Sequence, residues 1–239
     1  ELTANTLRTD GNAWGGVNVS KGGAPSGGPA PVFTFDAQSS FSESNPVYVD
    51  LERTGEDGYT VNAPEGWTAV RLGNTMIYSD RLRVQDQSVY VEDAGAFQIA
   101  MSLIQSGTYA TLGLDSDIEL TLSSGYSMTG DVDAVLDLNQ HRLKIKGDVT
   151  AISVGAGASL IIRNGRILSE DREDGRYTFM TDVNGELTLE EVDFTTTGTG
   201  VGIKQETDGG RLYVRNSTIS AYAYAVGTNA SKATVSNPT

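Results

Sequence analysis

Three groups of residues have the types and spacing to do chemistry. The first is the run Ser169 to Arg176, where Glu170, Asp171, Glu173 and Asp174 crowd four carboxylates beside Arg172 and Arg176. Hard oxygen ligands at that density suit calcium rather than a transition metal, with Asp182 or Glu206 completing the set from elsewhere in the fold. The charges fall in one consecutive stretch, so a solvated loop is the plainer reading and a calcium site the sharper one. Asp115, Asp117, Asp131 and Asp133 form the second group, with pairs spaced by two that share a strand face. They lack the pattern of a calcium-binding loop and read first as solvated turns. The third group is aromatic. Tyr177, Tyr213, Tyr222 and Tyr224, with Phe179, would stack on sugar rings if they lined an exposed face, and inward packing is the competing reading. Alternation in Ser220 to Val226 puts Tyr222 and Tyr224 on the same side.

Composition closes off other chemistries. With 17 Lys plus Arg against 31 Asp plus Glu, the net charge is -14, which opposes nucleic acid and anionic membrane surfaces. Acidic sugars would be repelled as well unless calcium bridged them. There is no cysteine, and His141 is the single histidine, so thiolate and multi-histidine metal sites are excluded. No cofactor is called for, calcium being the one cation the ligands suit. No stretch approaches the length of a membrane-spanning apolar run. The chain opens at Glu1 rather than Met, from which a removed signal peptide is expected. Abundant Gly, the missing cysteines and the low Lys count place it outside the cell or on a bacterial surface.

The elements that must position these residues are announced by a repeat. Leu136, Leu138 and Leu143 match Leu160, Ile162 and Ile167, then Leu187, Leu189 and Phe194, then Leu212, Val214 and Ile219. First positions lie 24, 27 and 25 residues apart. A period in the twenties carried by β-formers predicts a β-solenoid whose inward side chains stack from coil to coil. Four residues after each first position stand Gln140, Asn164, Glu191 and Asn216, with Asn139 beside Gln140 and Asn237 fitting a further coil. Asn tolerates the left-handed conformation of a sharp corner, so these read as corner residues first and ligand contacts second.

Before the repeat, Phe97, Ala100, Met101 and Ile104 share one face of a helix that Asp93 starts and Gly107 ends. Such a helix would cover the open end of the stack. Residues 32–91 read as about seven short strands of a small β-sandwich-like domain, with Gly73-Asn74 as a hairpin turn. Residues 1–31 form a Gly/Pro-rich leader. At the far end Ala233 and Val235 fit the first two positions of another rung whose third would be residue 240, so the chain is expected to continue in a longer protein.

The phrases Leu136 to Gly147 (LDLNQHRLKIKG) and Ala158 to Ile167 (ASLIIRNGRI), preceded by the helix, resemble pectate-lyase-like right-handed parallel β-helix modules of bacterial cell-surface, adhesin-like proteins. The resemblance covers residues 92–239 and implies an all-β fold and a non-catalytic extracellular role, as adhesin or stalk, with polysaccharide or host-surface glycan as partner. It also leaves two alternatives. One is a polysaccharide lyase or glycoside hydrolase. Pectate lyases place their calcium carboxylates on adjacent coils, and polygalacturonases carry a Gly-His-Gly absent here, of whose companion phrase only Gly202-Ile203-Lys204 is approached. The other is a trimeric fibre resembling a tailspike.

Overall fold

The computed structural model describes residues 17–19, 32–34, 47–51, 60–63, 65–155, 157–172, 177–182, 184–198, 201–207, 209–221, 224–228 and 235–236. The chain divides after Val84 into two compact units.

In the first unit, strands Val17–Val19, Val47–Asp50, Thr75–Ser79 and Thr68–Leu72 lie side by side in that order. The first pair is parallel and the others antiparallel. Gly73-Asn74 closes the Leu72↔Thr75 pair, and Gly73 takes the φ of +56° that a two-residue hairpin loop demands. Strands Val32–Thr34 and Thr60–Asn62 form a second, parallel pair. Val61 from that pair packs with Trp67, Met76 and Tyr78 against Val47, Val49 and Leu51, giving the unit a small core of its own.

The second unit is a β-solenoid of about five turns. Each coil contributes a strand to three faces. On the first face Thr111–Leu114, Asp133–Asp137, Ser159–Arg163, Glu186–Glu190 and Arg211–Arg215 pair in parallel. Ser88–Val91, which the sequence reading places in the small β domain, joins this face beside Thr111–Leu114 because Val89 and Val91 align with Leu112 and Leu114. The second face stacks Ile118–Thr121, Arg142–Lys146, the later parts of Ser159–Arg172 and Glu186–Gly198, and Thr218–Ala221. The third stacks Tyr126–Met128, Ile152–Val154, Tyr177–Thr181, Val201–Gln205 and Tyr224–Thr228. Ser169–Arg172 is thus strand, where the sequence reading has a loop.

The repeat produces the expected columns. Leu160, Leu187 and Leu212 stack, as do Ile162, Leu189 and Val214, and Ile167, Phe194 and Ile219. The first rung needs correction. Leu136 aligns with Ile162, not Leu160, while Leu143 still aligns with Ile167. The corner between Leu136 and Leu143 holds two extra residues, and both Asn139 and Gln140 have positive φ, at 48° and 68°. The last rung shifts likewise. Val235 pairs with Leu212, in the first position rather than the second.

A helix, Ala94–Gln105, leads into the first coil. Asp93 accepts from the Ala96 N–H at 2.9 Å to start it. At the other end Gly107, at φ +72°, donates to Ile104 O and Thr108 donates to Leu103 O, the two bonds of a Schellman motif. Phe97, Ala100, Met101 and Ile104 are all buried. The helix packs on Ser88–Val91, Thr111–Leu114, Ile118–Thr121 and Tyr126–Met128, so it meets all three faces of the first coil. Phe97 lies 6.2 Å from Tyr126 between ring centroids, and Gln105 donates to Ser127 O at 2.9 Å. Burial pushes the Tyr126 hydroxyl up to about 12. No helix among the described residues is long and apolar enough to cross a membrane.

Candidate functional site

Outward side chains repeat with the coils, so polar groups stand in rows one coil apart and their chemistry depends on what each row puts side by side. On the second face Glu119 and Lys144 are register partners. Lys144 Nζ lies 3.3 Å from Glu119 and 2.9 Å from Glu170, and Lys146 Nζ lies 2.5 Å from Glu119. The bond to Glu170 leads the causes that hold the Lys144 pKa above its ordinary value. Glu170 therefore has an ammonium partner. The side chain of Asp171 and the whole of Glu173 and Asp174 lie outside the described residues. No group of three or more carboxylate, histidine or cysteine ligands occurs among those that are described.

Asp117 accepts from the Arg142 N–H at 2.9 Å, which with the Arg142 guanidinium and His141 beside it holds its carboxyl below the usual range. Nδ1 of the sole histidine lies 3.6 Å from the Asp117 carboxylate. Asp137 binds Arg163 Nε at 2.8 Å and accepts from Asn164 Nδ2 at 3.1 Å, tying one coil to the next.

The tyrosines do not form one platform. Tyr177 and Tyr224 occupy one column of the third face with Val201 between them. Tyr213 belongs to the first face, where Arg215 lies 5.8 Å from its ring centre. Tyr222 lies outside the described residues, as does the side chain of Tyr224. Phe179 turns inward, fully buried and edge-on to Phe194 at 5.3 Å. Its column continues Ile152 and Ile203, an inward row. Tyr177 is held from the next coil: Lys204 donates to its hydroxyl at 3.0 Å and sits 4.5 Å from the ring centre. Lys204 also pairs with Glu206, and its side chain is only 15% exposed. Burial works to lower the Lys204 pKa, but the bonds to Glu206 and Tyr177 outweigh it and hold the ammonium above its ordinary value.

The corner between the first and second faces carries the row that sequence reading assigned to structure. Asn164, Glu191 and Asn216 have φ of 58°, 55° and 46°, as left-handed corners require. Asn237 lies outside the described residues. Beside this row runs a second, in which Arg142, Arg166, Asp193 and Thr218 align. Between the two rows lies a shallow recess of about 360 Å³, lined by Gln140, Arg166, Glu191, Asp193, Asn216 and Thr218. Gly165 and Val192 form its floor. A Cβ on Gly165 would stand 2.5 Å from Leu138 Cβ and 2.7 Å from His141 O, so only glycine lets the chain pass that close to the preceding coil.

Arg166 differs from most of the other described cations of the coils. Arg142, Lys144, Lys146, Arg163, Lys204 and Arg211 each meet a carboxylate. Arg166, Glu191 and Asp193 form no ion pair among the described residues, although register sets Arg166 beside Asp193. Sequence reading missed the recess because Arg166 and Asp193 are 27 residues apart and only the register joins them. No family model, curated protein or solved structure matches the chain.

Proposed function

We propose that the chain is a non-catalytic, extracellular module of a bacterial surface protein, a pectate-lyase-like stalk or adhesin that binds polysaccharide along the third face of its solenoid. One observation carries the reading. On the second face Lys144 ties Glu119 to Glu170 across coils, and on the third Lys204 pairs with Glu206 while holding Tyr177 of the preceding coil. A lyase needs a base that is free and near neutral pKa. Lys204, the best-placed cation of the third face, is instead paired and kept protonated. Its ammonium braces Tyr177, whose ring offers the flat amphipathic surface that suits a sugar.

The test is to incubate the protein with a polysaccharide array and, in parallel, to assay reducing ends and unsaturated products. Binding without turnover is expected, and Tyr177→Ala should weaken it at least fivefold. Release of either product would replace this reading with a lyase or hydrolase. Absence of binding to every polymer would leave only the stalk.

A further inference from the structure

We propose that the corner recess is a second, independent carbohydrate site that takes a neutral sugar bearing adjacent hydroxyls. It deepens the carbohydrate part of the reading above but lies on a different edge of the solenoid. Glu191 and Asp193 present only acceptors when ionised, and Arg166 presents only donors. Asn216 and Gln140 add both kinds. A ligand that satisfies such a lining must donate and accept from neighbouring atoms, which is what a vicinal diol does. A uronate would face two carboxylates on a chain of net charge -14. A donor-only organic cation would suit the carboxylates but leave the Arg166 guanidinium without an acceptor. No aromatic ring among the described residues lines the recess, so recognition rests on hydrogen bonds rather than stacking. Its 360 Å³ sits at the small end of the roughly 300–1,000 Å³ range of ligand pockets, which suits one or two sugar rings.

The corner geometry fixes the backbone beneath the lining. Left-handed residues stack here in register, and Asn164 is already engaged with Asp137. The Val192 N–H donates to Ser217 Oγ at 2.9 Å, which pins the floor to the next coil. Arg166, Glu191 and Asp193 lie on this braced backbone without an ion partner among the described residues. In every other described row of the coils the cation meets a carboxylate or, at Arg215, a tyrosine ring.

Saturation-transfer NMR with the methyl glycosides of glucose, galactose, mannose and N-acetylglucosamine tests the site, with galacturonate as anionic control. At least one neutral glycoside should receive saturation, with galacturonate giving several-fold less. The signal should fall at least fivefold in Arg166→Ala/Asp193→Ala, and also in Thr218→Trp, which fills the recess. It should persist in Tyr177→Ala. Melting curves confirm that each variant is folded. Signal from no neutral glycoside overturns the proposal, as does equal signal in the recess variants or from galacturonate. Signal lost only in Tyr177→Ala sinks the recess and leaves the third-face reading intact.

Discussion

At the scale of single residues, the interior is less uniform than the repeat suggests. The inward column Met128, Val154, Thr181, Gln205 changes from apolar to polar as it climbs the third face. Ser169 and Thr178 answer one another at 2.8 Å, and Gln205 Nε2 donates to Gly210 O at 2.6 Å. Thr181 is fully buried, yet its Oγ1 has no hydrogen-bond partner among the described residues. Burying an unpaired hydroxyl costs about 1–3 kcal/mol. Thr181→Val keeps the shape and removes the hydroxyl, so it should raise stability by about 1 kcal/mol in urea denaturation. A loss of similar size would show that the hydroxyl is satisfied in solution.

At the scale of elements, two contacts decide whether coils stay stacked. Leu187 is fully buried between Leu160 and Leu212. Leu187→Asp would bury a charge between two leucines and should cost at least ~3 kcal/mol. A loss under about 1 kcal/mol would contradict the stacked columns. The second contact is the helix on the first coil. Tyr126 holds its proton to about 12 in the folded chain against 10.0 unfolded. Stability from this group is therefore complete below pH 10 and declines as pH rises toward 12, because only the unfolded chain ionises. Tyr126→Phe should flatten that decline, as a series of melts from pH 9 to 11.5 would show. The helix and its caps were legible in sequence because Asp93, the apolar stripe and Gly107 are local signals. The three columns named by the repeat were legible because their inward positions keep an apolar type from coil to coil. The misplaced first rung arose because Leu136 and Leu138 satisfy the template two residues out of step while Leu143 stays in step, and only hydrogen-bond register separates the alternatives. Ion-pair rows and the recess were illegible for the same reason: Lys144 and Glu170, or Arg166 and Asp193, meet only once coil lengths are known.

At the scale of the whole molecule, charge and cation binding come together. Glu170 already has an ammonium partner, so calcium finds no assembled set of ligands among the described residues. Calcium titration should raise the melting temperature by less than about 8 °C, which corresponds to about 2–4 kcal/mol at this size. A larger shift would restore the acidic run as a metal site. The corners carry the remaining consequence. From Leu136 to Ile162, Leu189 and Val214 the coils take 26, 27 and 25 residues, yet every inward column stays in line. Length is thus absorbed at the bends and never passed to the core. Such a body is modular in the way of a ladder with hinged side rails: foreign segments spliced into a bend would alter one outer edge and leave the rungs where they are. New recognition surfaces could therefore arise at the corners of this chain without renegotiating its fold.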